Sequence, residues 1–166
     1  MPFLKQIHKL KPSLTLLLCS LAIGCGPSEQ RPELFPAHGS LLINGKPAAG
    51  AFVIFYPTDN RSFDERGTRP KATVREDGSF EVTTYQAGDG IPLGDYELGV
   101  MWIDDPESSN ATDRLQGRFA DPKRSDLRAS ILPRDNALDP IELDRVSVSK
   151  RSASRGLDSR DPDQVD

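Results

Sequence analysis

The chain has 166 residues, of which 36% are hydrophobic and 28% charged, with 14 Pro, 13 Gly and 2 Cys. That length fits one domain with tails. The Pro and Gly spread through the middle argue against long helices there, and the lean apolar fraction leaves part of the chain outside any core. The formal charge is −4, from 21 Lys+Arg and 25 Asp+Glu, which speaks against a nucleic-acid partner.

The N-terminus reads as a targeting signal. Lys5, Lys9 and Lys11 precede an uncharged, mostly apolar run at 12–23, centred on Leu14, Leu16, Leu17, Leu18 and Leu21. The run is shorter than the roughly 20 residues that span a bilayer as a helix, and its length and basic flank fit a secretory signal peptide over 1–24. It ends Leu21-Ala22-Ile23-Gly24-Cys25, which resembles a bacterial lipobox, with Ala22 where Leu is commoner. The resemblance implies cleavage before Cys25, a diacylglyceryl group on its thiol and an acyl group on the new amine. Cys19 leaves with the signal, so the mature chain has no thiol left for a disulfide. Each buried methylene contributes about 0.8 kcal/mol and one fatty chain holds only marginally, whereas two or three make release negligible. The expected partner is therefore a membrane, reached through acylated Cys25, and the expected location is the bacterial cell envelope. Removing three Lys and no acid from a chain at −4 leaves −7, so the anchor rather than surface charge must do the attaching.

Residues 25–36 carry Pro27, Pro32 and Pro36 and read as an extended tether. A domain follows over 37–144. Ala37, Gly39, Leu41 and Ile43 share one side of a first strand, closed by the turn dipeptide Asn44-Gly45. Residues 51–57 form a second strand, apolar on both faces and so expected to be covered on both. Residues 58–70 are a polar loop. Strands at 71–75 and 79–84 flank Glu76-Asp77-Gly78. A three-residue loop with left-handed Gly78 sets Val74 opposite Phe80 and Ala72 opposite Val82, which pairs apolar with apolar.

The stretch that organises the domain is 93–102. Tyr96, Leu98, Val100 and Trp102 alternate with Glu97, Gly99 and Met101, the pattern of a central strand with an aromatic inner side. The preceding run, 87–94, is a loop, and a Tyr just inside a strand can pin such a corner through its hydroxyl. Residues 107–116 have no period and read as loop. Leu127, Ala129 and Ile131 mark a sixth strand at 126–132, and Ile141 and Leu143 mark a short closing strand at 139–144. Residues 145–166, rich in Ser, Arg and Asp, cannot bury enough surface to offset ordering entropy and are expected to be disordered. The fold class is all-β, an antiparallel sandwich of about seven strands.

Three groups of residues carry a family resemblance. They are Gly39-x-Leu41-x-x-Asn44-Gly45-Lys46-Pro47-x-x-Gly50-Ala51-x-Val53-x-Phe55-x-Pro57, Thr73-x-x-x-Asp77-Gly78-x-Phe80, and Gly88-Asp89-Gly90-x-Pro92-x-Gly94-x-Tyr96-x-Leu98-x-Val100. Together they resemble the carboxypeptidase regulatory-like, or transthyretin-like, domains, and are similar to those of small lipoproteins of planctomycete-type bacteria. Phe119-Ala120-Asp121-Pro122 and Ser125-x-Leu127 are similar to that group as well. The resemblance covers 37–143 and implies a transthyretin-like, Ig-like sandwich. It implies no chemistry, because fold does not dictate function.

Candidate chemistry is sparse. Zinc needs three or four His, Cys or carboxylate ligands, and the mature chain offers His38 alone, an outward residue of the first strand. A Ser-His-Asp triad would need the same His38, and no Gly-x-Ser-x-Gly elbow exists. The hydroxyisourate hydrolases of the transthyretin-like group carry several His and a C-terminal Tyr-Arg-Gly-Ser that this chain lacks. Acids cluster at Asp59, Asp64 and Glu65 and at Asp104, Asp105 and Glu107, without the spacing of a calcium loop. Phe63, Tyr85 and Trp102 lie where they could serve as sugar- or peptide-binding aromatics or as core edge. The sequence thus predicts no catalytic residue, metal or cofactor, and a structural or protein-interaction role. The alternative is a carbohydrate- or peptide-binding module whose partners are envelope proteins or glycans.

Overall fold

The computed structural model describes residues 31–104, 106 and 111–149. The signal segment, Cys25, Asp105, Glu107 and most of the C-terminal tail lie outside the described residues. In chain order the strands are β1 (Leu34–Phe35), β2 (Ala37–Ile43), β3 (Lys46–Pro47), β4 (Phe52–Pro57), β5 (Lys71–Thr73), β6 (Ser79–Glu81), β7 (Ile91–Pro92), β8 (Gly94–Met101), β9 (Ile103–Asp104) and β10 (Thr112–Asp113). A helical turn, α1 (Pro122–Ser125), then precedes β11 (Arg128–Ile131), β12 (Asn136–Ala137) and β13 (Ile141–Leu143). The domain is all-β.

Two sheets supply one hydrophobic core. The first has the order β11-β8-β4-β5, all antiparallel, so the Tyr96 strand is central as expected. Alternation along β8 sends Tyr96, Leu98 and Val100 inward, where they meet Val53 and Phe55 of β4. The second sheet is built on β2. Strands β6 and β3 run antiparallel to it, while β12 and β13 run parallel. Its inward residues are Ala37, Leu41, Ile43, Phe80, Ile141 and Leu143. The parallel pairs correct the purely antiparallel expectation. Apolar alternation reports which face is buried, and it is blind to strand direction.

The 71–84 segment shows both the reach and the limit of turn chemistry. Gly78 is left-handed (φ 87°), the Arg75 N–H donates to the Ser79 carbonyl at 2.8 Å, and Lys71 and Thr83 form an antiparallel bridge. The expected register therefore holds at both ends. Between them the two strands part, β5 joining β4 and β6 joining β2. The hairpin thus spans both sheets, and Ala72, Val74, Phe80 and Val82 are all buried between them.

Four further expectations change. Strand β4 is buried only at Val53, Phe55 and Pro57, and its other face is half-covered; there Arg69 lies 4.8 Å from the Tyr56 ring centroid. Among the described residues pairing begins at Leu34, inside the stretch read as tether, because β1 pairs with β7. A Cβ on Gly90 would lie 2.4 Å from the Phe35 carbonyl oxygen, so only Gly lets β1 approach. At the other end the Asn44 amide exchanges two hydrogen bonds with the backbone of Val146, at 2.8 and 3.0 Å, and Val146 is buried. The fold thus runs past residue 144 into the segment expected to be disordered. The supposed loop at 107–116 contains β10, paired with β9.

Tyr96 is fully buried, with Phe55 edge-on at 6.0 Å and Phe63 at 6.4 Å between ring centroids. Its hydroxyl donates to the Pro92 carbonyl at 2.7 Å, pinning the corner that precedes β8. Burial raises the phenol pKa to about 12. The folded state therefore holds this proton to higher pH than the unfolded chain, whose phenol titrates near 10. Stability from this group is intact below pH 10 and falls as pH rises toward 12. Tyr96→Phe should cost about 1 kcal/mol near neutrality, the net worth of one hydrogen bond, and should flatten the loss of stability between pH 10 and 12. Chemical denaturation across that range checks both; an unaltered alkaline slope would contradict the assignment.

Candidate functional site

A concave feature that both sheets shape lies between β11 and the β12–β13 segment. One cleft of about 320 Å³ is lined by Leu98, Arg128, Ala129 and Ser130 on one side and by Ala137, Leu138, Asp139 and Ile141 on the other. A second hollow of about 340 Å³ continues it past Leu132, Arg134 and Asn136. Leu98, Leu138 and Ile141 make the floor apolar, and Arg128, Ser130 and Asp139 make the rim polar.

The strand pairing explains why the cleft is open. The Leu98 N–H bonds the Leu127 carbonyl at 3.0 Å. By antiparallel alternation Ala129 also turns its backbone groups to β8, which leaves those of Arg128 and Ser130 pointing outward to the cleft. Their side chains are engaged with β8. Arg128 lies 3.3 Å from Glu97, its cross-strand partner, and the Ser130 hydroxyl donates to Asp95 at 2.6 Å. The next outward position, Leu132, is capped. Asn136 Oδ1 accepts from the Leu132 N–H at 2.9 Å, and its Nδ2 donates to the Leu132 carbonyl at 3.1 Å and the Arg134 carbonyl at 2.6 Å. The Asn136 N–H also holds the Pro36 carbonyl at 2.9 Å. One buried amide thus closes one end of the cleft and ties three segments together. In the sequence, Asp135-Asn136 reads only as a turn between the strands at 126–132 and 139–144. The signal that could have been used is that Asn presents donor and acceptor together, as a backbone peptide does.

The residues singled out from sequence are not gathered at this cleft. His38 is on the outward side of β2, half exposed, 3.4 Å from Asp135. Among the described residues no group of three or more His, Cys, Asp or Glu is arranged for a metal. Two of the loop acids, Asp64 and Asp59, serve the backbone instead. Asp64 accepts from the Arg66 and Thr68 N–H groups at 3.1 and 2.8 Å and from the Thr68 hydroxyl, and these bonds hold its carboxyl below the usual range. Asp59 accepts from the Arg61 N–H at 3.2 Å, and Asp104 belongs to β9.

The three aromatics are committed to packing or internal hydrogen bonds. Phe63 is buried beside Tyr96. The Tyr85 hydroxyl donates to the Phe63 carbonyl at 2.9 Å, and Arg31 lies 4.4 Å from the centre of the Tyr85 ring. Trp102 donates from Nε1 to the Ala49 carbonyl at 3.0 Å, and one face of its ring is covered by Arg114 at 3.7 Å. A sugar stacking on that face would first have to displace the guanidinium.

Removing the Asn136 side chain strips four hydrogen bonds from the surrounding backbone, those to the Leu132 N–H and to the Leu132, Arg134 and Pro36 carbonyls. Asn136→Ala should destabilise the protein by about 2–3 kcal/mol, since a buried group left without its partner costs about 1–3 kcal/mol. Thermal unfolding measures this, and a midpoint within a degree of the parent would show that water replaces the amide.

No family model matches the chain, and no curated protein or solved structure was found to be similar to it.

Proposed function

We propose that this chain is a lipid-anchored protein of a bacterial cell envelope, carrying one transthyretin-like β-sandwich in a structural or protein-interaction role and performing no catalysis itself. The observation that carries the reading is the N-terminal order: three lysines, an apolar run too short to span a bilayer, then Gly24-Cys25. The first described strand begins at Leu34, so an acylated Cys25 would hold the domain close to the lipid. The Gly, Pro and aromatic spacing described above supports the carboxypeptidase regulatory-like assignment, and two sheets over one core are compatible with it. In a bacterial host, Cys25→Ser should move the protein from the carbonate-resistant membrane pellet to the soluble fraction, or leave uncleaved precursor. An unchanged pellet fraction with normal processing would refute the anchor.

A second reading is favoured by the cleft. The outward backbone groups of Arg128 and Ser130 beside an apolar floor suit an extended peptide that adds as a strand. Peptide and glycan arrays screened with the full chain would find a ligand. Ser130→Pro removes the outward N–H, and with it the hydroxyl bond to Asp95, while leaving the backbone pairing to β8, as edge positions allow; it should abolish peptide capture in protein that still folds, whereas Ser130→Ala, which loses the hydroxyl alone, should retain capture. A glycan hit insensitive to Ser130→Pro would favour carbohydrate recognition elsewhere, and no ligand at millimolar levels would remove this reading.

A further inference from the structure

The large apolar side chains most exposed among the described residues are Leu93 and Leu132, at 49% and 46%. They flank the same strand pair, Ile131 with Gly94, the last of the β8–β11 ladder. A single exposed Leu is ordinary. Two at one corner of an acidic chain form a patch, and its position in the fold gives it an occupant.

The chain enters the domain at this corner. Strand β1 pairs with Ile91 and Pro92, immediately before Leu93. The Pro36 carbonyl is held by Asn136, four residues after Leu132. Arg61 donates to the Leu93 carbonyl, fixing the backbone of the corner. The opposite end of the domain is the Asn44–Gly45 turn, reached along the seven residues of β2, about 23 Å at strand rise. Between Cys25 and Leu34 the chain can extend at most roughly 30 Å. A tether of that length keeps the entry corner within a short distance of any surface that holds Cys25.

We propose that the Leu93–Leu132 corner is a lipid-docking surface. With Cys25 acylated, both leucines insert at the boundary between headgroups and acyl chains, and the Asn44–Gly45 end points away from the membrane. The proposal rests on the lipid-anchor reading and adds a fixed orientation to it. The driving force is burial of apolar surface. The mature chain carries −7, so docking does not depend on anionic lipid, and it resists salt.

The test uses the full acylated protein in phosphatidylcholine vesicles that contain lipid with a nitroxide in the acyl chain. Acylated Cys25 has no thiol, so Leu93→Cys, Leu132→Cys and Lys46→Cys variants each take one fluorophore. Lys46 is exposed beside the far turn. Labels at 93 and 132 should be quenched at least threefold more strongly than at 46, with little change between low and high salt. Equal quenching at all three positions, in protein that floats with the vesicles, would overturn the docking while leaving the anchor intact. Protein that does not float would overturn both. A label at Lys46→Cys should also gain rotational freedom when Leu93→Ser and Leu132→Ser are combined, and unchanged anisotropy would count against the docking.

Discussion

The hydrogen bond from the Tyr96 hydroxyl to the Pro92 carbonyl is the constraint from which the rest of the domain follows. It joins the start of the central strand to the corner before it. That corner contains β7, which pairs with β1 and so fixes where the N-terminal segment enters. The same ring packs against Phe55 from β4 and Phe63 from the long loop. A buried phenol without a partner would be costly. The position therefore accepts Tyr only with Pro92 at bonding distance, and the corner is set once the strand forms.

Around this core the loops are ended by short polar side chains. Asp89 accepts from the N–H groups of Thr84, Tyr85 and Gln86. Asp113 does the same for Trp102, Leu115 and Gly117. Asp121 caps α1 through the Lys123 N–H. Asn44 and Asn136 supply both donor and acceptor and work across separations of about a hundred residues. These bonds turn the carboxylates of Asp89, Asp113 and Asp121 toward backbone N–H groups. They also explain why a chain with so many loop residues holds two sheets together.

Much of the fold could be read from the chain because period-2 alternation and turn dipeptides are local. Tyr96, Leu98 and Val100 announced the central strand, Asn44-Gly45 the turn after β2, and Gly78 the register at both ends of its hairpin. What escaped was non-local. Nothing in Ile141 and Leu143 says that their strand runs parallel to β2, and nothing in Leu34-Phe35 reveals Gly90 as the space they need. Val146 looked like part of a polar tail because its partner, Asn44, lies a hundred residues away. Apolar residues on both faces of β4 suggested cover on both sides, whereas one face is only half-covered by long side chains such as Arg69. The cleft was illegible for a related reason. It is bounded by main-chain groups of Arg128 and Ser130, and a backbone donor carries no signature in a sequence.

Anchor, entry corner and cleft make one account. A short link from Cys25 would present the domain close to the lipid, with its apolar corner nearest the surface and the β11 edge beside it. The claim beneath this arrangement is that the sulfur of Cys25 bears lipid. Tandem mass spectrometry of the N-terminal peptide from protein made in a bacterial envelope tests it most directly. The account predicts a peptide beginning at Cys25 that carries a diacylglyceryl group; a peptide that retains residues before Cys25, or shows an unmodified thiol there, would contradict it.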